Sequence, residues 1–178
     1  HEGRLLVEAG LDDGGRAEIA AAVETYVRPL DIRPDLDRPG RTPFRLVGDG
    51  TLSRFQDGSS GMVTMHSRGS LRALATALGD DGLDELRFRS NIAVDGFDAW
   101  AELAWGGRSL RIGDVEFEVL APAVRCLATH VDLQSGVRDH DMLNTLPGLN
   151  GIDKPSFAVK LKPRSDGVIR LGDVVTLE

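Results

Sequence analysis

Apolar positions recur along this chain in two rhythms. In the first eighty residues the helical rhythm dominates. In "RAEIAAAVETYVRPL", Ile19, Val23, Tyr26 and Val27 fall on one helical face, and Pro29 ends the pattern. In "SRGSLRALATALGDDG", Leu71, Leu74, Ala75 and Leu78 make a second apolar face. Ser67 or Ser70 is placed to cap its start, and Gly79 to close its end. Between these helices the segment from Pro29 to Pro43 is rich in proline and charge and reads as a loop or connector. "GRLLVEAGLDDGG" reads as a strand running into a loop, "FRLVGDG" as a strand and turn, and "GMVTMHS" as a strand.

After Gly82 the rhythm shortens. "LRFRSNIAVDG", "SLRIGDVEFEVLAPAV", "RCLATHVDLQSG", "SFAVKLKP" and "VIRLGDVVTLE" are short runs rich in branched residues, separated by Gly, Asp and Pro turns. "DVEFEVL" alternates strictly, with Val115, Phe117 and Val119 set against Glu116 and Glu118, as in a half-buried strand. The spacing predicts a closed or strongly curved antiparallel sheet. "DHDMLNTLPGL" predicts a short helix before a loop.

Composition narrows the function classes. The 178 residues are 41% hydrophobic and 28% charged, so a real core can be buried. That length suits one large domain, or one domain and part of another, at roughly 150 residues per domain. A net charge of -7 gives no broad positive field for nucleic acid, and 5% aromatic residues offer no stacking platform. No apolar stretch approaches the roughly 20 residues of a membrane span, so no membrane partner is expected. A single cysteine excludes an internal disulfide and a four-cysteine metal site, and a cytoplasmic location is the expectation. The chain opens on His1 rather than Met, which points to a natural protein extending upstream.

Candidate chemistry centres on three places. Cys126 is either a small buried hydrophobe or a thiolate favoured by the neighbouring Arg125. In "RFRSN", Arg87, Arg89 and Asn91 would share one face of an extended chain. That face is either a solvated edge or a cradle for an oxygen-rich anion, which arginine binds through forked bonds. His66, His130 and His140 have Asp132, Asp139 and Asp141 as possible co-ligands, but without recognisable zinc spacing. "DGSSG" is either an ordinary turn or part of an anion pocket.

Taken in order, "RFRSNIAVDG", "AWAELAW", "LRIGDVEFEVLAPAVRC", "THVDLQSG" and "GVIRLGDVV" resemble the MOSC domain. That family is named for the C-terminal region of molybdenum cofactor sulfurase and includes the mitochondrial amidoxime-reducing component. The resemblance implies a mixed, mainly β fold, a MOSC-type β-barrel with a few peripheral helices over residues 55–178. Residues 1–54 would be the tail of an N-terminal β-barrel lobe and a connector. It further implies molybdenum cofactor, with Cys126 as the metal ligand and catalytic residue. Arg89, Asn91 and Arg125 would hold the cofactor, and Ser59 and Ser60 are counterparts of a hydroxyl segment that contributes in relatives. The family's "FRPN" here reads Phe88, Arg89, Ser90, Asn91, with serine in place of proline. Val124 stands where some relatives have a small polar residue.

Three functions follow as expectations. The first is a molybdenum oxidoreductase that reduces N-oxygenated or related small molecules, with a separate electron-transfer protein as donor. The second is a carrier of the cofactor, or of a persulfide on Cys126. The third is a non-catalytic β-barrel interaction module.

Overall fold

The computed structural model describes residues 5–30, 35–48 and 62–178, and the chain divides into two compact units, 1–53 and 54–178. In the first unit, helix α1 spans Asp13–Val27. Asp12 caps it, its carboxylate accepting from the Gly15 N–H at 2.8 Å. Glu24 accepts from the Phe44 N–H and so ties the 35–48 segment to the helix. The strands expected in residues 5–10 and 44–48 do not form, and both stretches lack regular structure. Their leucines and valines (Leu5, Leu6, Leu46, Val47) are exposed, so no buried face holds a strand there.

The second unit is mainly β, a six-stranded curled half-barrel with helices against it, as the MOSC-type fold requires. Its elements are β1 Val63–Ser67, α2 Arg68–Leu78, β2 Ile92–Val94, β3 Ser109–Ile112, β4 Val115–Val124, α3 Met142–Asn150, β5 Ser156–Pro163 and β6 Val175–Leu177. Short 3-10 helices cover Glu85–Phe88, Ala101–Ala104 and Leu127–His130. The strand order is β2-β1-β5-β4-β3-β6. Every pairing is antiparallel except β1–β2, which is parallel with Met65 opposite Ile92. The all-antiparallel expectation fails there because α2 lies between the two strands. A helical crossover returns the chain in its starting direction.

Helix α2 follows its sequence signals. Ser67 caps the start and Gly79 ends it in the left-handed conformation at φ 67. Gly69 is required for packing, since a Cβ there would lie 2.4 Å from the Phe97 carbonyl oxygen. Beneath, Glu102 is fully buried. Its Oε1 accepts from the Ser67 N–H at 3.1 Å and from the Ser70 hydroxyl at 2.7 Å.

One core cluster joins Val63, Met65, Leu110, Val115, Phe117, Val119, Val159 and Leu161 on one face of the sheet. The alternation read in β4 therefore holds. A second cluster joins Leu74, Phe88, Met142, Leu146, Phe157 and Ala158 beneath the helices. Consecutive residues Phe157 and Ala158 both join this second cluster, which regular alternation forbids. Ala158 is left-handed at φ 72, and the β4–β5 register shifts beside it, between Pro122 and Val124. This is a bulge with alanine where glycine is usual. The "VIRL" stretch, expected as a strand, is irregular and exposed, and only Val175–Leu177 joins the sheet edge.

Candidate functional site

Strand β4 ends at Val124, and the next two residues leave the sheet. The Arg125 N–H donates to the Pro155 carbonyl at 2.8 Å, which extends the β4–β5 contact by one step. Cys126 then stands at the start of the 3-10 turn Leu127–His130. Its carbonyl accepts from the Thr129 N–H and hydroxyl at 3.1 and 3.0 Å. Cys126 is exposed, so the reading of a buried small hydrophobe is overturned. The physical reason is that the strand stops two residues earlier and the thiol has no core to enter.

Arg125 turns the other way. Its guanidinium is buried, with Nε donating to the Phe157 carbonyl at 2.7 Å and Nη1 to the Phe88 carbonyl at 2.9 Å. Its Cζ lies 6.0 Å from the Phe157 ring centroid and 5.9 Å from that of Phe88, and the two rings stack at 3.8 Å. Burial pulls its pKa down to about 10, while the nearby Cys126 sulfur acts in the opposite direction. Nη2 is buried with no hydrogen-bond partner among the described residues.

The extended reading of "RFRSN" is overturned. Glu85–Phe88 is a 3-10 helix, and Arg89 follows it in the left-handed conformation at φ 49. Arg87 and Arg89 therefore do not share a face. Arg87 is buried against Asp139, with Nη2–Oδ2 at 2.6 Å and Nη1–Oδ1 at 2.7 Å, and it reaches Asp132 at 3.5 Å. Arg89 is exposed. The strand signal failed because Asp84 caps a helical turn, its carboxylate accepting from the Leu86 N–H at 2.8 Å. A left-handed arginine costs on the order of 1–3 kcal/mol and persists only where its surroundings hold it.

Asn91 is pinned to β1. Its Oδ1 accepts from the Thr64 N–H at 2.8 Å, and its own N–H donates to the Thr64 carbonyl at 3.0 Å. The Thr64 hydroxyl donates to the same Oδ1 at 3.3 Å. Between Arg89 and Asn91, the Ser90 hydroxyl is buried with no partner among the described residues, in a protein interior where such groups are usually satisfied. Ser59 and Ser60 lie outside the described residues.

His66, His130 and His140 each have a polar partner at Nε2, while His66 Nδ1 is buried without one among the described residues. His66 is buried, with Nε2 3.3 Å from Glu85 Oε2, and burial holds its pKa below the usual imidazole value. His130 Nε2 accepts from the Leu143 N–H at 3.2 Å, and His140 Nε2 lies 2.9 Å from Asp80 Oδ2. Among the described residues no group of three His, Cys, Asp or Glu is placed to hold a metal. Sequence reasoning missed the chain of charges Arg72–Asp95–Arg68–Glu85–His66, whose members lie 3.1–3.3 Å apart. It also missed Glu102. The one available signal for Glu102 was a carboxylate set inside the apolar stretch "AWAELAW".

The family model described as "MOSC domain" matches residues 53–176, more than half of the chain. Mouse mitochondrial amidoxime-reducing component 1 is 31% identical over 156 residues, covering 82% of this chain and 44% of that protein. Rat mitochondrial amidoxime reducing component 2 is 30% identical over 194 residues, covering 98% and 56%. Molybdenum cofactor sulfurase of Drosophila grimshawi is 39% identical over 82 residues, covering 45% of this chain and 10% of its own length. Curled sheet, left-handed Arg89 and exposed Cys126 thus occur in a chain that belongs to the MOSC domain family. The chain spans about half the length of the amidoxime-reducing components it matches. No described helix is long and apolar enough to cross a membrane.

Proposed function

We propose that this domain binds molybdenum cofactor and belongs to an oxidoreductase that reduces N-oxygenated or related small molecules. The observation carrying the reading is the link from Cys126 to the Arg89 segment. Cys126 is exposed, and the preceding Arg125 donates to the carbonyl of Phe88, the residue before Arg89. A soft sulfur and an anion-binding arginine are thereby tied into one structural unit. The donor set suits the group. Molybdopterin is phosphorylated and rich in acceptors, which the exposed Arg89 and Asn91 can meet, and the buried Ser90 hydroxyl, unpartnered among the described residues, lies between them in the chain. Molybdenum held by dithiolene sulfurs takes a further thiolate readily.

When bound, the cofactor supplies a two-electron metal centre. The protein's part is to hold it: Cys126 as thiolate ligand and catalytic residue, Arg89 and Asn91 on its phosphate and pterin. Reduction of an N–O bond takes two electrons and two protons and releases water. The electrons come from a separate electron-transfer protein in this reading, and the compartment is the cytoplasm. Relatives named as mitochondrial leave that location to be tested by fractionation. Residues 1–54 are read as the tail of an N-terminal lobe.

The test is elemental analysis of the whole natural protein from a host that makes molybdenum cofactor. Wild type is expected to carry close to one molybdenum per chain and Cys126→Ser far less, with reductase activity lost. Full metal content and full activity in Cys126→Ser would overturn the reading.

A second reading is favoured by the sulfurase relative and the exposure of Cys126: a carrier bearing a persulfide on that cysteine. Intact-mass analysis separates the two, because a Cys126 persulfide without molybdenum supports the carrier. The interaction-module reading requires a thiol shielded from reagents, and the exposure of Cys126 speaks against it.

A further inference from the structure

Among the described residues, those other than glycine with a left-handed backbone are Arg89 at φ 49, Trp100 at φ 68 and Ala158 at φ 72. Two of them directly follow the residues whose carbonyls Arg125 holds: Phe88 precedes Arg89, and Phe157 precedes Ala158. The pairing has a mechanical meaning. A peptide plane carries the carbonyl of one residue and the N–H of the next, so holding its orientation restricts φ of that next residue. Holding the Phe88 carbonyl restricts φ of Arg89, and holding the Phe157 carbonyl restricts φ of Ala158.

Nε and Nη1 belong to one rigid, planar guanidinium, so the two peptide planes are also fixed relative to each other. The stacked rings of Phe88 and Phe157 lie against the same guanidinium. The backbone bond from Arg125 to Pro155 anchors the base of the clamp. Trp100 has a separate hold, since its N–H donates to the Ser70 hydroxyl.

We infer that Arg125 is a clamp on two left-handed turns, and hence a positioning residue for Arg89 and Cys126. Its consequence for cofactor binding rests on the reading above; the clamp does not.

The test uses amide hydrogen exchange in metal-free protein, with Arg125→Lys and Arg125→Met. The reporting amides are Arg89, which donates to the Leu86 carbonyl, and Asn91, which donates to the Thr64 carbonyl. In both variants these amides are expected to exchange at least tenfold faster, relative to the acceleration of the Leu110–Val119 core amides. Lysine keeps the charge but replaces the rigid planar fork with one rotatable ammonium on a flexible stem. Wild-type exchange in Arg125→Lys, or equal acceleration in the core, overturns the clamp.

Ala158→Gly gives a second measurement, because glycine adopts the left-handed turn without help. Adding it is expected to shrink the loss of denaturant midpoint caused by Arg125→Lys by at least half, or to restore folding if Arg125→Lys alone does not fold. No change in that loss, or no restored folding, overturns the clamp. A third readout is molybdenum per folded chain in Arg125→Lys, expected to fall at least tenfold. If the exchange result holds and molybdenum content stays at the wild-type level, the clamp stands and its role at the cofactor site is overturned.

Discussion

Arg87 and Asp139 meet in a two-pronged ion pair, 2.6 and 2.7 Å long, that ties the 3-10 turn before Arg89 to the loop after Cys126. Arg87 is 5% exposed, while the Asp139 side chain is about one-third exposed. Losing the carboxylate strands a buried cation, so Asp139→Asn is expected to cost about 2 kcal/mol, below the full buried-pair value because water reaches Asp139. Chemical denaturation of the two proteins measures it. The pair also sets a pH dependence. Hydrogen bonds from Arg87 hold the Asp139 carboxyl below the usual range. The stabilisation is therefore complete above about pH 4 and is lost as pH falls through the lowered folded value. Asp139→Asn should lose that portion of the acid sensitivity.

Glu102 should behave in the opposite sense. Burial raises its pKa, with the Ser70 hydroxyl and Ser67 N–H pulling it back. Its contribution is complete below about pH 4.3 and is lost as pH rises through the raised folded value. Glu102→Gln cannot ionise, so its stability relative to wild type should grow as pH rises from about 4.3 through the raised folded value. Glu102→Ala leaves the Ser67 N–H and Ser70 hydroxyl without this acceptor and opens a void, at a cost of about 2–4 kcal/mol. A flat Gln difference across that pH range would contradict the assignment.

Gly69→Ala separates helix propensity from packing. In an exposed helix alanine would gain up to about 1 kcal/mol over glycine. Here the added carbon would sit 2.4 Å from the Phe97 carbonyl oxygen, and backbone must move. A net loss of about 2 kcal/mol or more is expected in urea titration, of the size that forced backbone shifts produce. A neutral or stabilising alanine would show that the Phe97 loop yields.

Cys126, being exposed, is expected to be alkylated by iodoacetamide in the native state, one adduct per chain by intact mass. Molybdenum loading should suppress the reaction if the sulfur is its ligand. A thiol that reacts only after denaturation would contradict the exposed placement.

Helix α2 was legible residue by residue. Its apolar spacing, the Ser67 cap and the Gly79 stop are local signals, and each acts within a turn or two. The alternation of β4 was legible for the same reason. "RFRSN" was not: its branched and charged residues look extended, and a capping bond from Asp84 turned them helical. The parallel β1–β2 pair was implicit in a helix lying between two strands. The site residues Arg89, Asn91, Arg125 and Cys126 came into view through family resemblance, because their spacing alone left bland readings open.

Chain chemistry by itself determined where α2 begins and ends and which face of β4 is buried, since those depend on neighbours one turn away. It also determined that this sequence offers a metal a single cysteine thiolate. Only the tertiary structure decided that Arg125 faces inward while Cys126 faces out, and that Arg89 and Ala158 are left-handed. Those outcomes depend on carbonyls 32 and 37 residues away in sequence from the guanidinium that holds them, a distance over which no local pattern carries information.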